Sequence, residues 1–164
     1  MTGRRQPLDA GMRAGHRIGI LTDPYEAWTS LQADLRAARV SIAIDLYMLA
    51  PDEVGHAFVA ELVAASVRGV SVHLRLDAIG SIEISDGQLA ALREGGIQLD
   101  QFNPLRLSAP WQRWMQRNHR KIFAMDGKVA HITGMNVSEH YFALRPGVAT
   151  WADAGVRVEG PLVA

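Results

Sequence analysis

Strand-like and helix-like segments alternate through the first hundred residues, and this alternation limits the possible folds more than any other feature of the sequence. Apolar residues at alternate positions or in short runs predict strands, and apolar residues every three or four positions predict helices. The pattern predicts strands at 17–21, 40–49, 70–76 and 97–101, with helices at 24–38, 54–67 and 86–93 between them. A helix between two strands returns the chain to the same end of the sheet, which favours parallel pairing. The sequence therefore predicts an α/β fold with a mixed, mostly parallel sheet flanked by helices on both faces.

The pattern then changes to a long connection at 103–118 followed by short strands. Three further strands are predicted, at 122–125, 128–133 and 156–159. Asp126-Gly127 lies between the first two, and an Asp-Gly pair is among the strongest signals of a hairpin turn. No repeat, low-complexity segment or linker divides the chain, so all 164 residues are expected to form one domain. An apolar stub follows directly on Gly160-Pro161, from which we expect that the natural sequence continues past Ala164.

Composition excludes several classes of function. The sequence contains no cysteine, which rules out disulfides, thiolate zinc sites and a cysteine nucleophile. Lys and Arg together number 17, as do Asp and Glu, whereas proteins that bind nucleic acids through phosphate contacts usually carry a basic excess. We therefore expect no specific nucleic-acid partner. No signal peptide is evident and no apolar run approaches the ~20 residues that span a bilayer, so we expect a soluble chain that meets lipid only from the surface.

The strongest chemical signal is an H-x-K-x4-D pattern, His119-Arg120-Lys121-Ile122-Phe123-Ala124-Met125-Asp126. Side chains two positions apart on a strand share a face, so His119 and Lys121 are expected to point the same way. An imidazole can attack phosphorus while an ammonium neutralises the phosphate oxygens. Asn136, behind Gly134 on the loop after the hairpin, is placed to donate an amide N–H to the same phosphate. By spacing alone, an ordinary surface pair is the more frequent explanation of an H-x-K sequence.

The motif resembles the signature of the phospholipase D superfamily, which is H-x-K-x4-D followed by a glycine-rich G-x-N turn. His119, Lys121 and Asp126 match the first part and Gly134-Met135-Asn136 the second, with Thr133 where the family often has another glycine. Seven blocks along the chain resemble bacterial cardiolipin synthases in particular. They are Asp45-Leu46-Tyr47 with Asp52 and Gly55, Arg68-Gly69-Val70-Ser71-Val72, Asp77 with Gly80-Ser81, Phe102-Asn103-Pro104, Arg117-Asn118-His119-Arg120-Lys121, Trp151-Ala152-Asp153, and Glu159-Gly160-Pro161.

The resemblance implies the fold of one phospholipase D-like half and roles for particular residues. His119 would attack phosphorus and form a covalent phosphohistidine intermediate. Asp153 would orient the other ring nitrogen of His119 and support the imidazolium, as an aspartate does in serine proteases. By the same resemblance the catalytic residues are His119, Lys121 and Asp153, the phosphate-binding residues are Lys121 and Asn136, and the structural residues are Asp126 and Gly134. The family's chemistry implies no metal and no other cofactor.

The implied activity is that of a phosphatidyltransferase, which moves a phosphatidyl group from a phosphatidylglycerol-like phospholipid to an alcohol acceptor. The enzyme would be cytoplasmic and peripheral to the inner face of the membrane. Two alternatives stay open, namely a phosphodiesterase of the same superfamily that hydrolyses phospholipid or nucleic acid, and a catalytically silent module for lipid binding or dimerisation. The mechanism needs two histidines from two H-x-K motifs, and this chain has one. A second phospholipase D-like half or a homodimer partner is therefore implied, and the N-terminal half of a two-motif enzyme is favoured.

The other histidines are less specific signals. His73 lies in a strand expected to be buried and His131 lies in the hairpin, so structural positions are expected for both. His140 is close enough to the glycine turn in sequence to be a candidate for lining the site. His16 and His56 are expected at the surface or at a helix start. No three histidines have the spacing of metal ligands.

A basic stretch surrounds the motif. Residues 101–128 contain six Lys or Arg and one acidic residue, with Trp111 and Trp114 among them. Tryptophan and arginine at an apolar rim suit the headgroup region of a membrane. Packing of both tryptophans on the domain, with solvated arginines, is an equally good explanation.

Overall fold

The computed structural model describes residues 15–104 and 115–163, and these residues form seven strands, three α-helices and one short 3-10 helix. In chain order they are β1 (Arg17–Leu21), α1 (Pro24–Ala37), β2 (Ser41–Leu46), α2 (Glu53–Val67), β3 (Ser71–Asp77), α3 (Asp86–Glu94), β4 (Gln98–Phe102), β5 (Lys121–Met125), β6 (Val129–Thr133), β7 (Gly155–Glu159) and the 3-10 helix Pro161–Val163. Every strand and α-helix lies where the sequence predicts it, with its ends within about three residues of the predicted ones.

Within the described residues, one sheet contains all seven strands, in the order β1-β7-β6-β5-β2-β3-β4. β2 pairs in parallel with β3, and β3 with β4. The other four pairs are antiparallel. The α/β class is confirmed, but the prediction of a mostly parallel sheet was wrong. The reason is that β5, β6 and β7 follow one another through a hairpin and a loop, without crossover helices, so each strand reverses the direction of the one before it.

All three α-helices pack against the same face of the sheet. Along β2, Ile42, Ile44 and Leu46 are buried while Ala43 is exposed. The core between helices and sheet includes Trp28, Leu31 and Leu35 of α1, Phe58 and Leu62 of α2, Leu92 of α3, and Leu74, Leu76 and Phe123 of the strands. For the described residues, the prediction of helices on both faces therefore has to be corrected. The prediction of a structural position for His73 in a buried strand was wrong as well, because this side chain lies exposed on the uncovered face of the sheet.

The helices are short and begin at local sequence signals. The Asp23 carboxylate caps α1 by accepting the N–H groups of Tyr25 at 2.9 Å and Glu26 at 2.8 Å. Ser85 and Gln88 form a reciprocal capping box at the start of α3. The longest of the three described α-helices, α2, has 15 residues. In the part of the chain that the structure describes, no helix has both the length and the apolar character that crossing a membrane requires.

The hairpin between β5 and β6 turns at Asp126 and Gly127, whose φ angles are 55° and 60°. The Asp126 carboxylate accepts backbone N–H groups from Arg39 at 2.9 Å, Val40 at 2.8 Å and Ser41 at 2.9 Å. Burial acts to raise the pKa of Asp126, but these donors and a neighbouring lysine outweigh it and hold the pKa below its ordinary value. The motif aspartate thus ties the hairpin to the loop before β2, a geometry that suits a structural role.

Each of the seven strands has one end at the same edge of the sheet, the edge that runs across the strand ends. β2 and β3 end there because they are parallel, and β5 begins there because it is antiparallel to β2. β6 runs back to this edge and β7 leaves from it. This arrangement brings together the residues just before β5, just after β6 and just before β7. His119 and Asp153 therefore lie near each other, although 34 positions separate them in the sequence.

Candidate active site

His119 and Lys121 are in contact at this edge. The Lys121 Nζ lies 3.0 Å from the Nδ1 and 3.2 Å from the Nε2 of His119, and it donates to the His119 carbonyl oxygen at 3.1 Å. His119 is exposed, whereas Lys121 is 3 % exposed. The pair therefore places an accessible imidazole in contact with a buried ammonium.

The charge on Lys121 is set by two opposing influences. Burial lowers its pKa below the ordinary lysine value, and the negative charge of Asp153 acts in the opposite direction. A partly desolvated ammonium interacts more strongly with a phosphate oxygen than a hydrated one does, because the surrounding dielectric constant is lower. Asp153 therefore affects the site through the charge of Lys121.

Asp153 reaches the site because Gly134 leaves room for it. A Cβ on Gly134 would lie 2.2 Å from the Asp153 Oδ1, which is far inside van der Waals contact. Asp153 Oδ1 also accepts the Ala154 N–H at 2.7 Å. Among the described residues, the Asp153 carboxylate makes no hydrogen bond to His119. The orienting role that the resemblance implies for Asp153 is thus a proposal.

Asn136 lies on the loop after β6 and is only 4 % exposed. The neighbouring backbone fixes this loop, since Ala50 donates to the Val137 carbonyl at 3.0 Å and Val137 donates to the Met48 carbonyl at 3.2 Å. The Asn136 Oδ1 is buried and has no hydrogen-bond partner in the described part of the chain. The unpartnered atom is a hydrogen-bond acceptor, so binding of a phosphate oxygen would fall to the Nδ2 donor of the same amide, and that role is a proposal.

Tyr47 contacts both members of the His119–Lys121 pair, and reasoning from the sequence gave it no role. Its ring centroid lies 4.6 Å from that of His119, and the Lys121 Nζ lies 5.1 Å from its centroid. The residue directly follows β2, so its place at the edge of the sheet was a usable signal. The contact with His119 depends on how β2 pairs with β5, which one sequence does not reveal.

The other histidines lie outside this group. His131 is buried, and its Nε2 is 2.7 Å from Asp34 Oδ2, which makes its position structural. His140 stacks on Trp151, with ring centroids 4.8 Å apart and planes 8° from parallel. Trp151 itself is 60 % exposed and lies two positions before Asp153. His140 therefore supports the segment that leads to Asp153 and has no contact with His119.

An open cleft of about 450 Å³ lies beside His119 and includes Arg75, Arg117 and Arg120 in its lining. Each arginine is near a carboxylate, at 3.1 Å for Arg75 and Asp100, 3.4 Å for Arg117 and Asp77, and 3.9 Å for Arg120 and Asp45. Since each guanidinium is paired with a carboxylate, and Asp45 is itself part of the lining, the three arginines add little net positive charge to the cleft. Arg106 and Arg113 of the basic stretch, together with Trp111 and Trp114, lie outside the described residues. No cluster of His, Asp and Glu with the arrangement of a metal site occurs within the described ranges.

A family model and curated relatives match most of this chain. The family model described as the phospholipase D-like domain of cardiolipin synthase matches residues 31–153. The cardiolipin synthase of Geobacillus kaustophilus is 29 % identical over 99 % of this chain and 34 % of its own length. Cardiolipin synthase A of Pseudomonas syringae is 30 % identical over 92 % of this chain and 32 % of its own length. The chain thus spans about a third of the length of these curated relatives.

Solved structures share the fold at lower identity. The phospholipase D family member Nuc from Salmonella typhimurium has a TM-score of 0.65 at 20 % identity, covering 91 % of this chain and 87 % of its own. The phosphatidylserine synthase of Haemophilus influenzae has a TM-score of 0.68 at 16 % identity, covering 89 % of this chain and 34 % of its own. At these identities the likeness shows a common fold and nothing finer.

Proposed function

Because the chain belongs to the phospholipase D-like domain family of cardiolipin synthases, we propose that it is a catalytic half of a phosphatidyltransferase. Its donor is a phosphatidylglycerol-like phospholipid and its acceptor is an alcohol. The observation that carries the proposal is the contact between His119 and Lys121, whose Nζ lies within 3.2 Å of both ring nitrogens beside an open, arginine-lined cleft. An imidazole held against a fixed ammonium is suited to attack on an anionic phosphodiester.

In the proposed first step, a ring nitrogen of His119 attacks the phosphorus of the donor phospholipid. The bond between phosphorus and the headgroup oxygen breaks, and the headgroup alcohol leaves with a proton from a second histidine. Lys121 neutralises a non-bridging oxygen, and the amide of Asn136 donates a hydrogen bond to it. The product of this step is a phosphatidyl group bound covalently to His119.

In the second step, the acceptor alcohol attacks the same phosphorus. The nitrogen–phosphorus bond breaks, His119 regains its lone pair, and the proton of the alcohol passes to the second histidine, which now acts as the base. If water replaces the alcohol, the product is phosphatidic acid. The difference between transferase and hydrolase therefore lies in which oxygen reaches the intermediate.

The second histidine has to come from outside the motif described above. We propose that it belongs to a second phospholipase D-like half, or to a second copy of this chain that completes the site about a twofold axis. The single H-x-K motif supports this arrangement, as does the length of the curated relatives, of which this chain spans about a third. Because the substrate is a bilayer lipid, the enzyme acts at the membrane surface, with the cytoplasmic face proposed as its location.

The test is a transfer assay with vesicles that contain phosphatidylglycerol labelled in the headgroup glycerol, in the presence of an alcohol acceptor. With its second half present, or at a concentration at which the chain self-associates, the protein should release labelled glycerol and form a phosphatidylated acceptor, and His119→Ala should reduce both by roughly 10⁴-fold or more while the chain stays folded. His73→Ala is the matched control, because this exposed histidine lies on the open face of the sheet. Activity of His119→Ala within tenfold of the unmodified protein would contradict the proposal. Accumulation of phosphatidic acid alone would identify a hydrolase instead.

A further inference from the structure

A buried carboxylate holds the backbone that leads into His119. Asp77, the last residue of β3, is 0 % exposed. Its two oxygens accept N–H groups from Ile79 at 3.0 Å, Gly80 at 3.0 Å, Asn118 at 2.8 Å and the Arg117 guanidinium at 3.4 Å. A carboxylate with this many donors is satisfied where it lies and resists displacement.

The two oxygens of Asp77 have different sets of partners. Oδ1 accepts the Ile79 and Gly80 backbone groups and the Arg117 guanidinium, which closes the turn after β3. Oδ2 accepts the backbone N–H of Asn118. The bond from Oδ2 is therefore a direct link between the turn after β3 and the peptide next to His119.

Asn118 is fixed by its side chain as well. The amide Nδ2 donates to Asp45 Oδ1, and the amide Oδ1 accepts the Arg120 N–H at 3.4 Å. The residue before His119 is thus bonded through both backbone and side chain, although His119 itself is exposed. An exposed side chain has several rotamers available, so its direction depends on the backbone that carries it.

The turn that Asp77 closes also holds Tyr47. Ser81 donates its N–H to the Asp77 carbonyl at 3.0 Å and its hydroxyl to the Tyr47 carbonyl at 3.1 Å. A Cβ on Gly80 would lie 2.2 Å from the same Tyr47 carbonyl oxygen, so this close approach requires glycine. One turn therefore positions both the backbone before His119 and the ring against which His119 lies.

From these contacts we infer that Asp77 is a positioning residue for His119. It holds the Asn118 peptide and, through the turn after β3, the Tyr47 ring, and together these direct the imidazole toward the phosphorus. The inference rests on the proposed function, in which His119 is the nucleophile. A small misplacement of a reacting group costs roughly 10²-fold in rate, because attack requires a particular distance and alignment.

Asp77→Asn tests the link with the smallest change in shape. The amide oxygen will take the place of Oδ1, where three donors converge, so the amide NH₂ will face the Asn118 N–H and the link to Asn118 will be lost. Asp77→Ser is the second variant, since a serine hydroxyl can accept from the turn but is too short to reach Asn118. Asp34→Asn is the matched control. Asp34 is also a largely buried carboxylate, and its side-chain partners His131 and Arg157 lie outside the site.

Two measurements are made on each variant after thermal unfolding has established that it folds. The first is the nuclear Overhauser effect between the ring protons of His119 and Tyr47, which reports the position of the imidazole without any catalysis. The second is kcat and KM for phosphatidyl transfer. In both Asp77 variants the Overhauser effect should weaken and kcat should fall roughly 10²-fold with KM within threefold, while Asp34→Asn should change neither.

An unchanged Overhauser effect in the Asp77 variants, or an unchanged kcat, would overturn the inference while leaving His119 as the nucleophile. Failure of the proposed function gives a different result, because His119→Ala would then remain active. The Overhauser measurement still decides whether Asp77 positions the imidazole in that case.

Discussion

At the scale of single residues, Gly134 and Asp153 depend on each other directly. A methyl group at residue 134 would overlap the Asp153 carboxylate, which would have to turn away from the edge of the sheet. The φ angle of Gly134 is not in the left-handed region, so alanine adds no backbone strain there. The glycine of the G-x-N turn is therefore needed for the space it leaves.

We expect Gly134→Ala to lower kcat/KM by roughly tenfold or more, because displacement of Asp153 alters the charge environment of Lys121. Gly19→Ala is the control, since a Cβ on Gly19 meets no atom within 4 Å and its φ is also ordinary. Steady-state kinetics on both variants check the expectation. Equal activities would show that the position of the Asp153 carboxylate is unimportant.

The pH dependence of activity should report the charge of Lys121. Burial lowers the pKa of Lys121 and Asp153 raises it, so Asp153→Asn should lower it further. Lysine binds phosphate in its protonated form, and this form is lost as the pH rises through its pKa. The alkaline limb of the residual kcat/KM profile should therefore move to lower pH in Asp153→Asn and should stay in place in Asp100→Asn. Movement to higher pH would contradict the assignment.

Part of the site follows from local rules and part does not. The H-x-K spacing predicts that His119 and Lys121 point the same way, and the two side chains are in contact, although His119 lies two residues before the start of β5. The contributions of Tyr47 and Asp77 follow from the pairing of β2 with β5 and from the turn after β3. Both are contacts between segments far apart in the chain, which local sequence patterns do not predict.

At the scale of secondary structure, α1 is joined to the sheet by a buried ionic group. Asp34 Oδ2 lies 2.7 Å from both the His131 Nε2 and the Arg157 Nε. Burial acts to raise the pKa of Asp34, but Arg157 and His131 outweigh it and lower the pKa to about 2. The carboxylate therefore stabilises the fold mainly when it is charged.

This group should make stability depend on pH in the acid range. A carboxyl whose pKa falls from 3.8 to about 2 on folding stabilises the protein above pH 3.8, and this contribution disappears as the pH falls toward 2. Asp34→Asn should lower the free energy of unfolding by about 2 kcal/mol at pH 7 and by much less at pH 2. Asp100→Asn, which breaks an exposed ion pair, should change it by less than about 0.5 kcal/mol. Urea unfolding at several pH values gives the comparison, and an equal loss at both pH values would exclude this origin.

The elements themselves were predictable, whereas their arrangement was predictable only in part. Capping residues such as Asp23 and the turn pair Asp126-Gly127 act locally, so the boundaries of α1 and of the hairpin follow from short stretches of sequence. The parallel pairs around β3 follow from crossover helices. The antiparallel β5–β6 hairpin was predicted, but the antiparallel pairing of β2 with β5 and of β7 with β1 and β6 was not. Long connections precede β5 and β7, and such connections do not fix the direction of the next strand.

At the scale of the whole molecule, the central feature is a site with one histidine where the proposed chemistry uses two. We expect the chain to be inactive, or nearly so, when it is monomeric and without a second half. A headgroup that leaves without general acid assistance leaves roughly 10²–10⁴-fold more slowly. Specific activity and molecular mass measured on one dilution series check this expectation. Full specific activity in a fraction shown to be monomeric would contradict the requirement for a second histidine.

The most direct test of the account is to trap the covalent intermediate. The protein is mixed with phosphatidylglycerol vesicles, quenched with denaturant at mildly alkaline pH, at which a nitrogen–phosphorus bond survives, and analysed by mass spectrometry of its peptides. We predict a phosphatidyl adduct on His119 that forms before the product, disappears when an alcohol acceptor is added, and is absent in His119→Ala but present in His73→Ala. Product formation without any adduct on His119, or an adduct on another residue, would contradict the claim that His119 is the nucleophile.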